Sequence, residues 1–352
     1  MAFSTKSAPP TRFSRTRESR ARGTFSGASE NSRSETRPIQ TSQDQGMIMT
    51  PQSSSSSQSY VKDPRNDGVE IYVNGEFFSR DEAKVSIFDA GFVLGDGVWE
   101  GIRLIKGRLL AIDEHIDRIF EGANALQIDI GFGKAELVDE IWKCLGHNEM
   151  EDGVHIRLMI SRGRKSTPNQ DPRFIVGGAT IVIVAEWKQP NPELKASGIK
   201  LMTSTIRCST PDVFDLRLNS HSRLNFIQAL IQAINMGADE ALMLDDRGFV
   251  ASCNSTNFFI IRGQELWTSD GQTCFNGITR KKAITLWREA GLVVREKAFT
   301  LAEVYAADEA FVTGTLGGIT PVSSIDGRAI GSGKPGPMTA RMNDLYQAYI
   351  RA

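Results

Sequence analysis

Apolar positions along this chain alternate with a period of two in some stretches and recur at helical spacing in others. Ile71-Tyr72-Val73, then Asn74-Gly75, then Glu76-Phe77 predicts a hairpin on a two-residue Asn-Gly turn. A second hairpin is predicted at Gly101 to Ile105, Lys106-Gly107 and Arg108 to Leu110. Asp113-Glu114-His115-Ile116-Asp117-Arg118-Ile119-Phe120 opens a helix, with acids in the first turn where the macrodipole favours them. Val154 to Ser161 and Ala179 to Ala185 read as strands. Glu186-Trp187-Lys188-Gln189-Pro190-Asn191-Pro192 reads as a linker, since it carries two prolines in three positions. A second unit follows, with strands at Ile199 to Ile206, Ala241 to Leu244, Asn257 to Ile261 and Glu309 to Val312. Its helices are Leu224 to Met236, stopped by Gly237, and Arg280 to Ala290. Strands and helices mixed in this way predict an α+β fold.

The first 65 residues depart from this pattern. They are rich in Ser and Arg, close on the run Ser53 to Ser57, and show little apolar periodicity. Such a segment buries too little apolar surface to offset its ordering entropy, so it is expected to be a disordered tail. Arg12, Arg15, Arg17, Arg20 and Arg22 in a Ser-rich setting resemble a transit peptide, while Glu18, Glu30 and Glu35 suit an untargeted tail. The expected location is a plastid or mitochondrion in the first case and the cytoplasm in the second. A net charge of −1 gives no reason to expect nucleic acid or a membrane surface as partner, and no run of eighteen apolar residues predicts a membrane span. The four cysteines form no CxxC pair and the four histidines are dispersed, so neither a disulfide framework nor a metal site is expected.

Asp89-Ala90-Gly91-Phe92-Val93-Leu94-Gly95-Asp96-Gly97-Val98-Trp99-Glu100-Gly101-Ile102-Arg103 resembles the "DxGxxxGDGVfE" signature of class IV pyridoxal-phosphate aminotransferases. Asp113 to Arg118, Gly277-Ile278-Thr279-Arg280 and Thr313 to Val322 resemble three further signatures of that family, in the same order. The resemblance implies a two-domain fold-type IV architecture, with a small α+β domain at 66–186, a linker at 187–196 and a larger cofactor-binding domain at 197–352. It implies a homodimer, pyridoxal 5'-phosphate as cofactor, and a small-molecule amino acid or 2-oxo acid as partner. Arg118, Ile278, Thr279, Thr315 and Leu316 are the implied cofactor-binding set. Gly277-Ile278-Thr279 precedes a helix, so its amides can face an anion at the positive helix end, and Gly314-Thr315 can offer a second nest. Trp99 and Arg162 match substrate-pocket positions; read alone, the first is equally a core residue and the second a solvated loop charge.

Two chemical positions depart from the family. The Schiff-base lysine falls on Asn219 when the register is counted back from Gly237 and Glu240-Ala241, or on Ser222 in a slipped register, and no lysine lies between Lys200 and Lys281. Neither side chain forms an imine, and Arg223 nearby stays protonated. Ser252 stands at the position of the glutamate that pairs with the pyridine nitrogen, and Gly318 replaces the glutamate of the last signature. His221 is a candidate base, and Lys281 or Lys282 a candidate substitute amine, although at the start of a helix both are expected to face solvent. By family the function is amino-group transfer between amino acids and 2-oxo acids, of branched-chain or D-amino-acid type. By its residues efficient transamination is in doubt, because Asn219 replaces the Schiff-base lysine, and the alternative is a catalytically impaired pseudoenzyme that binds pyridoxal phosphate or another phosphorylated ligand non-covalently. An aminodeoxychorismate lyase-like enzyme ranks last, since it too needs the lysine.

Overall fold

The computed structural model describes residues 56–352. The arginines behind the transit-peptide reading lie outside the described residues, and residues 56–352 fall in one contact unit. Within it the architecture is α+β.

The first half builds a six-stranded antiparallel sheet from Ile71–Val73 (β1), Glu76–Phe78 (β2), Gly97–Ile105 (β3), Arg108–Leu109 (β4), Val154–Ser161 (β5) and Thr180–Trp187 (β6), in the order β2-β1-β6-β5-β3-β4. Both predicted hairpins form. Asn74 and Gly75 take φ of 50° and 95°, and Lys106 and Gly107 take 49° and 71°, the paired positive values that match a two-residue turn to strand twist. Short helix α1 (Ala90–Leu94) precedes β3, with Asp89 capping it through Gly91 N–H at 2.8 Å. Helices α2 (Ile112–Ala125) and α3 (Lys134–His147) cover one face. Residues Ile116, Ile119 and Ala123 turn inward from α2 at helical spacing, onto a core that includes Ile102, Ile156 and Ile183.

The second half builds a nine-stranded mixed sheet. Its strands are Ile199–Thr203 (β7), Glu240–Leu244 (β8), Val250–Cys253 (β9), Asn257–Arg262 (β10), Glu265–Thr268 (β11), Val294–Glu296 (β12), Glu309–Gly314 (β13), Gly318–Ile325 (β14) and Arg328–Ala329 (β15). The order is β9-β8-β7-β14-β13-β10-β11-β12, with β15 beside β14. Helices α4 (Pro192–Ser197), α5 (Leu224–Asn235), α6 (Ile278–Glu289), α7 (Leu301–Tyr305) and α8 (Pro337–Arg351) complete it. Helix α5 ends before Gly237, whose φ of 73° suits the left-handed stop. Among the described residues no helix is long and apolar enough to cross a membrane.

Three expectations need correction. The chain is packed before residue 66: Ser57 is buried with its hydroxyl and amide on the Glu240 carboxylate, and Tyr60–Val61 pairs with Gln189–Pro190. The tail composition hides this because single polar contacts leave no periodic signature. The supposed linker is partly built, since Gln189–Pro190 pairs with Tyr60–Val61 and Asn191 caps α4 through Glu193 N–H at 3.0 Å. The strand expected to reach Ile206 stops at Thr203, whose amide and hydroxyl both turn to Asp326 at 2.6 Å.

Candidate ligand site

A cleft of about 130 Å³ opens where β3 and β5 of the first sheet face the β9–β10 connection, the segment before α6, the β13–β14 turn and the 216–226 segment. Trp99, Arg118, Asn219, Ser252, Ile278, Thr279 and Thr315 all line it, so most of the residues singled out from sequence converge here.

One end suits an anion. Gly277 is the N-cap of α6 and Ile278 and Thr279 are its first residues, so their amides have no partner within the helix. Any side chain at 277 would collide with Asn257 Oδ1, which explains the glycine. Gly314 and Thr315 approach from the β13–β14 turn. Arg118 reaches in from α2 and stacks 4.4 Å from the Phe275 ring centre. Three of its five N–H groups are already used: Nε and Nη2 grip Glu100 at 2.7 and 2.6 Å, and Nη1 donates to Asn276 O at 3.1 Å. It therefore offers an anion single N–H groups rather than a free fork. Glu100 is fully buried and also meets His115 Nδ1 at 2.6 Å. Burial drives its pKa up, but the Arg118 charge and the bonds from His115 and Arg118 outweigh burial and hold the carboxyl below its ordinary range. Leu316 is buried behind the turn and does not line the cleft.

The other end lacks the expected chemistry. Asn219 faces the cleft, which favours the gap-free register; Ser222 points away and donates to Gly95 O at 3.1 Å. The Asn219 amide donates to Trp99 O at 2.5 Å, and its oxygen accepts from Arg223. Ser252 donates to Thr256 O at 2.8 Å and accepts from Asn257 at 3.3 Å, a neutral group throughout. Among the described residues no lysine lines the cleft. Lys281 is exposed, and Lys282 bonds Glu114 at 2.5 Å. Pyridoxal 5'-phosphate is thus matched by this site at its phosphate and not at its aldehyde or ring nitrogen.

Two further candidates fall outside the cleft. Arg162 holds Asp96 at 2.6 and 3.0 Å and the Leu126 and Gln127 carbonyls at the end of α2 at 2.8 and 2.9 Å, which makes it a clamp between elements rather than a substrate ligand. His221 packs its ring against Gly91 and Gly97 and does not line the cleft, and burial, its first cause, lowers its pKa.

The sequence reading missed His155 and Arg157, which line the cleft from β5. Their signal was the period of two: polar residues alternating with buried Val154, Ile156 and Leu158. It also missed Lys195, whose amine bonds the Gly317 and Ile319 carbonyls and Thr320 Oγ1, bracing the β13–β14 turn from behind. Burial lowers this amine to about 8. An isolated lysine beside prolines gave no sequence signal.

Two sheets with an anion-binding helix start and turn between them define a fold-type IV arrangement. Residues 97–325 match the family model described as amino-transferase class IV, and the chain belongs to that family. It is 40% identical over 79% of its length to a putative branched-chain-amino-acid aminotransferase of Methanocaldococcus jannaschii, of which 96% is covered. It is 38% identical over 81% of its length to branched-chain-amino-acid aminotransferase-like protein 2 of Arabidopsis thaliana, and spans about half of that relative, 51%. Among solved structures, the branched-chain amino acid aminotransferase of Thermobaculum terrenum in its PLP-form (holo-form) aligns with a TM-score of 0.72 and 25% identity, over 81% of this chain and 94% of that one.

Proposed function

We propose that this class IV aminotransferase homologue binds pyridoxal 5'-phosphate, or another phosphorylated ligand, non-covalently through its phosphate, and that lysine-dependent transamination is lost or very slow. The observation that carries this reading is a cleft with an intact anion end and no lysine amine among its lining residues. Asn219 cannot form an imine, and Ser252 cannot supply the charge that keeps a pyridine ring protonated. Any residual exchange would involve amino acids and 2-oxo acids; the relatives' names support branched-chain substrates, with D-amino acids the second choice. We assign residues 66–186 and 197–352 to two domains, and a homodimer to the assembled protein. The exposed stripe Leu224, Ile227, Ile231 and Ile234 on α5 supports a second copy as its cover. Sedimentation at micromolar concentration tests this, and a monomer there refutes it.

Equilibrium dialysis tests the ligand reading. Saturable, reversible binding of pyridoxal 5'-phosphate that inorganic phosphate displaces is expected. Failure of both pyridoxal and pyridoxamine phosphates to bind would remove the phosphate site altogether.

A further inference from the structure

Beside the position where the family would place an amine, this chain turns a guanidinium into the cleft. Arg223, at the start of α5, donates from Nε to Ser220 O at 3.1 Å and from Nη2 to Asn219 Oδ1. Those bonds use two of its five N–H groups, and no other acceptor is found among the described residues. Its guanidinium lies 5.6, 5.1 and 5.5 Å from the ring centres of Trp99, Phe226 and Phe275, an aromatic surround that orients a planar cation. Arg157 lies 3.7 Å from the Trp99 ring centre on the same lining. Neither arginine pairs with a carboxylate among the described residues. The carboxylate nearest them, Glu100, is already engaged by Arg118 and His115. Burial, then the Arg157 and Arg118 charges, lower the Arg223 pKa to about 10, so it remains a cation at neutral pH.

A partly buried cation with unused donors and no counterion is unfavourable until an anion arrives. A carboxylate suits it, because two coplanar oxygens match a guanidinium edge. We propose that the cleft takes a phosphorylated carboxylate, with the phosphate at the Ile278, Thr279 and Thr315 end and the carboxylate on Arg223. Asn219 then serves to position Arg223 rather than to face an aldehyde. This rests on the phosphate site proposed above.

Calorimetric titration of the full chain with two probes tests it. Pyridoxamine 5'-phosphate carries the phosphate alone, and N-(5'-phosphopyridoxyl)-glycine adds a carboxylate. The second is expected to bind about tenfold tighter or more, the worth of a charge-assisted bidentate contact. In Arg223→Gln that preference should vanish while pyridoxamine 5'-phosphate affinity stays within about twofold of the original. In Arg223→Lys, which keeps charge but loses the fork, part of it should survive. Equal affinity of the original protein for the two probes would overturn the proposal without any variant being made. So would a preference that persists in a folded Arg223→Gln protein. If pyridoxamine 5'-phosphate itself does not bind, the phosphate reading has failed instead, and this inference falls with it.

Discussion

Replacing Asn219 by lysine tests the placement of the missing amine, and the structure sets the size of the effect. Asn219 donates to Trp99 O at 2.5 Å and accepts from Arg223. A lysine keeps a donor for Trp99 O but offers Arg223 no acceptor, so one hydrogen bond worth about 1 kcal/mol is lost. It also sets a second cation beside Arg223. At about 4 Å and an effective dielectric of about 20, two like charges repel by about 4 kcal/mol. The introduced amine relieves most of this by losing its proton, so its pKa falls well below that of an ordinary lysine. The sign follows from linkage: the folded state binds fewer protons than the unfolded state, so Asn219→Lys is least stable in acid and recovers as pH rises toward the ordinary lysine range. A neutral amine is also the form that attacks an aldehyde. Incubation with pyridoxal 5'-phosphate and borohydride, followed by peptide mass analysis, should therefore yield a pyridoxyl label on residue 219. A folded variant that binds the ligand yet carries no label would refute the register.

Other perturbations separate ligand roles from structural ones. Arg118→Ala should weaken pyridoxal 5'-phosphate binding by about tenfold or more; unchanged affinity in a direct titration removes Arg118 from the site. The same change strands the buried Glu100 carboxylate and should cost about 3–5 kcal/mol at pH 7. Because the folded pKa of Glu100 is depressed, its pairing stabilises the fold above the ordinary carboxylate range and is lost as pH falls through the depressed value, so the deficit seen by thermal melting should narrow in acid. Arg162→Ala should lower stability by about 2–4 kcal/mol through the lost Asp96 and helix-end bonds, leaving ligand affinity unchanged; a loss of affinity without loss of stability would return it to the substrate pocket. Glu240 is fully buried and its pKa is raised, first by burial, so it withdraws stability as pH climbs from the ordinary carboxylate value to the raised one. Glu240→Gln should flatten the melting profile across that window; an unchanged slope contradicts the assignment.

Much of the α+β framework was legible because it rests on local rules. Asn74-Gly75 and Lys106-Gly107 dictate hairpins, and Gly237 ends a helix whatever surrounds it. The phosphate end was legible too, since it is a helix start and a turn, both written in contiguous residues. What stayed hidden depends on contacts distant in sequence. Nothing near Arg162 announces that Asp96 and the end of α2 will consume its donors. Nothing near His221 says that its ring packs against Gly91 and Gly97 instead of lining the cleft as Asn219 does, only two residues earlier. Ser57 and Lys195 were invisible because each finds its partners more than 100 residues away.

The central claim, an anion cleft without a reacting amine, is tested most directly on the unaltered protein. It is saturated with pyridoxal 5'-phosphate, treated with borohydride, dialysed and digested. The account predicts a ligand that leaves on dialysis and no pyridoxyl-labelled peptide above that of an unfolded control. A stoichiometric label on one lysine, with an imine absorption band that survives dialysis before reduction, would contradict it and identify a substitute for the missing residue.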